Sequence, residues 1–122
     1  MTVIKCQGIT DEVFNVDNKL INPNANQVTQ NLFNYLSECY GNYTISGQVC
    51  DDGINGPEFA AIYSETGKYP AMLGLDMMDY SPSRVALGAS SDAVDQAIAF
   101  WNEGGIVTFC WHWNAPTETL SR

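Results

Sequence analysis

The chain has 122 residues, 45% hydrophobic and 16% charged, which is enough for one domain with a core and too apolar for a disordered segment. Fourteen acids against five bases give a net charge of −9, a field that repels nucleic acid and anionic membrane surfaces. A neutral partner suits it, and a polysaccharide qualifies.

No apolar run reaches the roughly 18 residues of a spanning helix, so the sequence predicts no membrane segment. A lone Lys5 with no apolar stretch after Met1 does not make a signal peptide. Either the chain is cytosolic or Met1 opens a fragment. Cys6, Cys39, Cys50 and Cys110 show no pair at metal-ligand spacing, and one histidine cannot complete a zinc site. The expectation is therefore no metal and no cofactor. Cys39 on a helix and Cys110 in a strand read as buried free thiols, and a Cys39–Cys50 bridge stays open on spacing alone.

Residues 1–23 read as a lead-in. Val3-Ile4 and Val13-Phe14-Asn15-Val16 could form short strands, but Gly8, Asp17-Asn18 and Asn22-Pro23-Asn24 interrupt them. From Asn26 the pattern turns helical, with Val28, Leu32, Tyr35, Leu36 and Cys39 on one face, Asn24 or Asn26 as cap and Gly41 as stop. Asn42-Tyr43-Thr44 is a glycosylation sequon that matters only in a eukaryotic secretory route. Thr44 to Val49 reads as a short strand. The turn-rich loop Asp51 to Pro57 opens a second helix with Pro57 near its first position, Phe59, Ile62 and Tyr63 buried, and Gly67 as stop.

Pro70 to Met78 is a second apolar strand, with Asp76 near its carboxyl end. A loop through Tyr80, Pro82 and Ser83 follows. Ser90-Ser91-Asp92 supplies a cap, with Asp92 and Asp95 in the first turn of a third helix. Val94, Ala97, Ile98 and Trp101 form its apolar stripe, which puts Trp101 in the core, and Gly104-Gly105 ends it. Ile106 to Trp113 then reads as a buried strand, bounded by the glycine pair and by Asn114-Ala115-Pro116.

Strands separated by helices imply right-handed βαβ units and a parallel sheet. Three such strands leave two open edges, and Thr117 to Arg122 offers neither a fourth strand nor a covering helix. The expectation is the front part of a larger α/β fold.

Sites in such folds gather at the carboxyl ends of strands. His112 is therefore the leading site residue. By alternation it shares a face with Cys110, Thr108 and Ile106, while Trp111 and Trp113 point the other way. Trp113 could stack on the apolar face of a sugar ring, and Asp76 could orient a sugar hydroxyl or act as a supporting partner. Ser46 and Gln48 at the first strand make a weaker claim. Nucleophilic catalysis lacks a G-x-S-x-G elbow, and Gly53-Ile54-Asn55-Gly56 fits no phosphate-loop spacing. No glutamate lies at a strand's carboxyl end, so the carboxylate pair of retaining glycoside hydrolysis cannot be built from these strands.

Several stretches, in order and spacing, resemble glycoside hydrolase family 26, best known for endo-β-1,4-mannanases. They are Asn22-Pro23-Asn24-Ala25 with Leu32-Phe33-Asn34-Tyr35-Leu36, Ile45-Ser46-Gly47-Gln48, Tyr69-Pro70-Ala71-Met72-Leu73-Gly74-Leu75-Asp76, Trp101 to Thr108, and Trp111-His112-Trp113 with Pro116. The resemblance runs from about Asn22 to Pro116. It implies a (β/α)8 barrel of which residues 24–122 supply the first three βα units, hydrolysis with retention, and a β-mannan or related polysaccharide as partner. It implies His112 as a cleft-lining residue and matches Asp76 to an acidic position after the second strand. The family's two catalytic glutamates follow the fourth and seventh strands, so it implies no catalytic residue here. It further implies an extracellular parent, and a partner in the remaining, C-terminal part of the barrel. With roughly five of eight units outside it, the chain alone should be inactive. The readings that compete with this one are a non-catalytic glycan-binding module and a small doubly wound α/β domain.

Overall fold

The structure, a computed structural model, describes Asp17 and residues 19–114. The candidate strands Val3-Ile4 and Val13–Val16, the thiol Cys6 and the closing segment from Ala115 to Arg122 lie outside the described residues. The chain forms two compact units, Met1–Ile45 and Ser46–Arg122.

The first unit carries α1 (Gln27–Cys39). Asn26 is its cap: the side-chain oxygen accepts from the Thr29 backbone N–H at 2.9 Å and from the Thr29 hydroxyl at 3.0 Å, satisfying donors that the first helical turn leaves free. Amide pairs four residues apart, Gln27 to Asn31 and Gln30 to Asn34, run along its surface. Tyr40 is the C-cap and Gly41 follows it. The apolar face is only half covered, and no residue of α1 is fully buried.

The second unit holds a three-stranded parallel sheet in the order β1 (Gly47–Val49), β2 (Met72–Asp76), β3 (Ile106–Cys110). Between them come α2 (Pro57–Thr66), a one-turn α3 (Pro82–Val85) and α4 (Ala93–Asn102). The β2–β3 register pairs Leu73 with Val107, Leu75 with Phe109 and Asp76 with Cys110. Sheet order thus equals chain order, the arrangement of consecutive barrel strands.

One face of the sheet makes the core. Leu73 and Leu75 pack with Phe59, Ala93, Ala97, Phe100 and Cys50, all buried. Phe59 meets Phe100 edge to face at 5.8 Å, a favoured aromatic geometry. The Cys50 thiol donates to Glu58 at 3.0 Å. Burial pushes that thiol's pKa up, and its hydrogen bond holds the Glu58 carboxyl below the usual range. Gly67 ends α2 in the left-handed region (φ 68), where its N–H donates to the Tyr63 carbonyl. After α4, a side chain at Gly105 would lie 2.1 Å from the Phe100 ring, so only glycine lets the chain turn into β3 here.

Several expectations are corrected. Trp101 is not core: it is 42% exposed, as Val94 and Ile98 also are in large part. The buried stripe is Ala93, Ala97 and Phe100, because two small alanines let α4 approach the leucines closely while Phe100 fills the space beside them. Tyr63 is also exposed and stacks on Tyr69 at 4.5 Å. The third strand is five residues long, and its last three residues are exposed, since among the described residues β3 has a strand neighbour on one side only. The first strand begins at Gly47, although the Ser46 carbonyl accepts from the N–H groups of Ala71 and Met72. Ser46 therefore stands at the amino end of its strand, away from any carboxyl-end site. The loop after β2 is largely helical, as a 3₁₀ turn (Met78–Tyr80) and α3. Asp92 occupies the α4 cap position without a side-chain cap bond, and the Ser91 hydroxyl accepts from Ala93 N–H instead. Cys110 is exposed and Cys39 half-buried rather than buried, and neither is bridged. Among the described residues no helix is long and apolar enough to cross a membrane.

Removing the central rings tests this core. Phe59→Ala and Phe100→Ala should each lower the unfolding free energy by about 3–5 kcal/mol, with Trp101→Ala distinctly milder, read from urea midpoints. Equal losses at Phe100 and Trp101 would contradict the assignment of the buried stripe.

Candidate functional site

Parallel strands end together, so Asp76 and Cys110 stand side by side at the carboxyl edge of the sheet. The ladder runs one step further: the Met77 N–H donates to the Cys110 carbonyl at 2.9 Å. Beyond it Cys110 Sγ lies within 3.6 Å of the His112 ring, so the two side chains share a face.

Asp76 gathers this corner. Its Oδ1 accepts from the backbone N–H of Met78 at 2.9 Å, which closes the turn after β2, and from the backbone N–H of His112 at 3.2 Å. Its Oδ2 pairs with His112 Nδ1. The aspartate side chain is only 15% exposed, whereas the histidine side chain is 74% exposed. A carboxylate accepts, so it selects the imidazole tautomer with the proton on Nδ1. Nε2 is left as the free nitrogen at the strand ends. The His112 side-chain hydrogen bond, with the two backbone donors adding to it against partial burial, holds the Asp76 carboxyl below the usual carboxylate range.

Cys110 Sγ lies 3.6 Å from the same Nδ1. A thiol nucleophile activated by a histidine needs its orienting carboxylate on the other ring nitrogen. Here both groups face Nδ1, so the three residues are not a nucleophile triad. Nor are they a carboxylate pair, since the cluster holds one carboxylate. Asp76, Cys110 and His112 do offer three donor atoms all within 4.8 Å of one another. The expectation of no metal rests on spacing along the chain, and the sheet register brings up a third donor atom that spacing does not reveal.

The structure therefore brings together two of the three candidate site residues, His112 and Asp76. Trp113 stands apart: it is 69% exposed and has no hydrogen bond or ring contact among the described residues. Two anchors were missed. Trp111 Nε1 donates to the buried Ser81 hydroxyl at 3.4 Å, and the Asn114 side chain donates to Ser83 at 3.1 Å. Together they tie the segment after β3 to the start of α3, and alternation in Trp111-His112-Trp113 was the one available signal. Cys110, expected as a buried thiol, is exposed and lies against His112, the face that alternation predicts for it.

The sequence model of glycosyl hydrolase family 26 matches residues 21–121. A mannan endo-1,4-β-mannosidase of Thermothelomyces thermophilus is 39% identical over 101 residues, covering 83% of this chain and 20% of that protein. Mannan endo-1,4-β-mannosidase A of a Piromyces species is 34% identical, covering 82% and 18%. Among solved structures, the GH26-CBM35 β-(1,4)-mannanase of Podospora anserina superposes with a TM-score of 0.75 at 47% identity, over 84% of this chain and 22% of that one. A ruminal GH26 endo-β-1,4-mannanase gives 0.73 at 36% identity, over 88% and 23%. The chain spans about a fifth of the length of the curated relatives it matches.

The depressed Asp76 pKa sets a sign. Its pairing contributes fully above the ordinary aspartate value of about 3.9, and the contribution fades as pH falls through the lower folded value. A carbon-13 titration of the Asp76 carboxyl in chelator-treated buffer should give a midpoint below about 3.9, and His112→Ala should raise it. A midpoint at or above the ordinary value in the unsubstituted chain would contradict the pairing.

Proposed function

Because the chain belongs to glycosyl hydrolase family 26, we propose that it supplies early βα units of a β-mannanase barrel, with residues 24–122 in the barrel and 1–23 leading into it. The family match beginning at residue 21 supports that division. In this reading the substrate is a β-1,4-mannan, as the names of the relatives suggest for their own activity. Hydrolysis proceeds with retention, and the two catalytic glutamates belong to later βα units. This chain binds and orients the glycan. A polymeric substrate supports an extracellular setting for the whole protein.

One observation carries the reading: the Asp76–His112 pair stands at the carboxyl ends of β2 and β3, the end at which barrel enzymes bind substrate. Asp76 fixes the imidazole through Nδ1, and Nε2 meets a sugar hydroxyl. Each hydroxyl offers one donor and two acceptor sites, so a ring held in one tautomer reads one orientation of it. Trp113, exposed and next to His112 in the chain, offers an aromatic platform to the C–H face of a pyranose. The three residues have separate tasks: Asp76 positions, His112 contacts, Trp113 stacks. The displacement itself needs carboxylates that this cluster does not contain.

Tryptophan fluorescence, titrated with mannohexaose and with cellohexaose, tests the assignment on the chain as it stands. Saturable binding that favours mannohexaose is expected, with no released product. Both His112→Ala and Trp113→Ala should weaken it by about tenfold, or about 1.4 kcal/mol. Binding that ignores both substitutions, or none at all, would overturn the reading.

A further inference from the structure

We propose that Asp76, Cys110 and His112 form a zinc-binding site at the carboxyl edge of the sheet. The donors are a carboxylate, a thiol and an imidazole, each a ligand that Zn²⁺ accepts. Their chemistry selects among metals. Calcium and magnesium want shells of oxygen, and this cluster supplies one carboxylate. A thiolate beside an imidazole favours a borderline ion such as zinc.

The geometry fits. Zinc bonds of about 2.3 Å to sulfur and about 2.05 Å to nitrogen, at a tetrahedral angle, place the two donors about 3.6 Å apart. The separation between Cys110 Sγ and His112 Nδ1 is 3.6 Å. Asp76 Oδ2 already faces that nitrogen across the hydrogen bond. Metal binding replaces the shared proton, and the oxygen opens to the roughly 3.3 Å that tetrahedral zinc requires.

The ligands also sit on a scaffold able to hold them. Asp76 and Cys110 are direct register partners on adjacent strands, and the His112 backbone is held by the second Asp76 oxygen. Sites carried by strands are better defined than sites carried by loops. Cys110 and His112 are both exposed, so the ion can enter from solvent. A water completes the fourth position, as in zinc sites with three protein ligands. Binding releases the thiol proton, while the ring proton passes from Nδ1 to Nε2 through solvent, so that the imidazole ligates as a neutral group. Zinc on Nδ1 displaces the Asp76 hydrogen bond that the glycan-binding reading uses, so the zinc-bound and zinc-free rings are two alternative states of His112, and the site does not depend on which glycan the protein binds.

The test uses the full chain under reducing, chelator-free conditions, with Zn²⁺ measured by calorimetry and Co²⁺ as its spectroscopic stand-in. One ion per chain is expected, with a sulfur-to-cobalt charge-transfer band. Cys110→Ser should abolish that band and weaken zinc at least tenfold. A C6S/C39S/C50S variant, with Cys110 as its remaining thiol, should keep both properties. His112 is the only histidine, so its Nδ1 resonance in the unsubstituted chain should move on zinc addition, a readout that needs no variant to fold. Failure to bind zinc, binding unchanged in Cys110→Ser, or an unmoved Nδ1 resonance would overturn the site. So would a charge-transfer band lost in a folded triple variant that retains Cys110.

Discussion

The parallel register between β2 and β3 is the constraint on which the second unit depends. Setting Leu73 beside Val107 and Leu75 beside Phe109 puts the large apolar side chains of β2 on one face, where α4 and Phe59 cover them. The same register sets Asp76 beside Cys110 on the other face. A slip of one residue would exchange the two faces. Leu73 and Leu75 would then leave the core, and Asp76 would enter it without a partner. Both errors are expensive, one through lost burial and one through an unpaired buried carboxylate. Core and candidate site are therefore fixed by one alignment.

The two faces differ in how they are finished. The helix-bearing face is closed by small residues at the contact, Ala93 and Ala97, and by the edge-to-face pair Phe59–Phe100. On the other face, Val49, Thr108 and Cys110 remain exposed. In the barrel reading that face turns toward the interior, where layers of side chains from other strands fill the space. The polar corner of Asp76 and His112 sits where such a layer gives way to solvent at the strand ends. It is tied down on both flanks: Asp76 closes its own turn through Met78, and Trp111 and Asn114 reach across to Ser81 and Ser83.

Much of this architecture was legible in the sequence. Asn26, Gly67 and Gly104-Gly105 punctuate helices with side-chain and turn chemistry that acts locally, so their roles could be read without tertiary information. The order of elements and the parallel sheet followed from periodicity, and the family resemblance followed from motifs in sequence. What could not be read depends on contacts between elements. Helix α4 is apolar on two faces, and only the leucines opposite decide that Phe100 rather than Trp101 turns inward. The exposure of β3 depends on its having one strand neighbour among the described residues, which its own composition does not disclose. His112 and Cys110 could be placed together by alternation. Asp76 stands beside them only once register is known, and for that reason spacing along the chain found no metal donors.

Asp76 fixes the His112 imidazole through Nδ1 and leaves Nε2 free at the strand ends. Long-range proton–nitrogen NMR reads the tautomer directly, and with a single histidine in the chain the ring resonances assign themselves. In chelator-treated buffer, at a pH where the ring is neutral, the account predicts a proton on Nδ1 in the unsubstituted chain and a shift of population toward the Nε2 proton in Asp76→Ala. A proton on Nε2 in the unsubstituted chain, or a tautomer indifferent to Asp76→Ala, would contradict it.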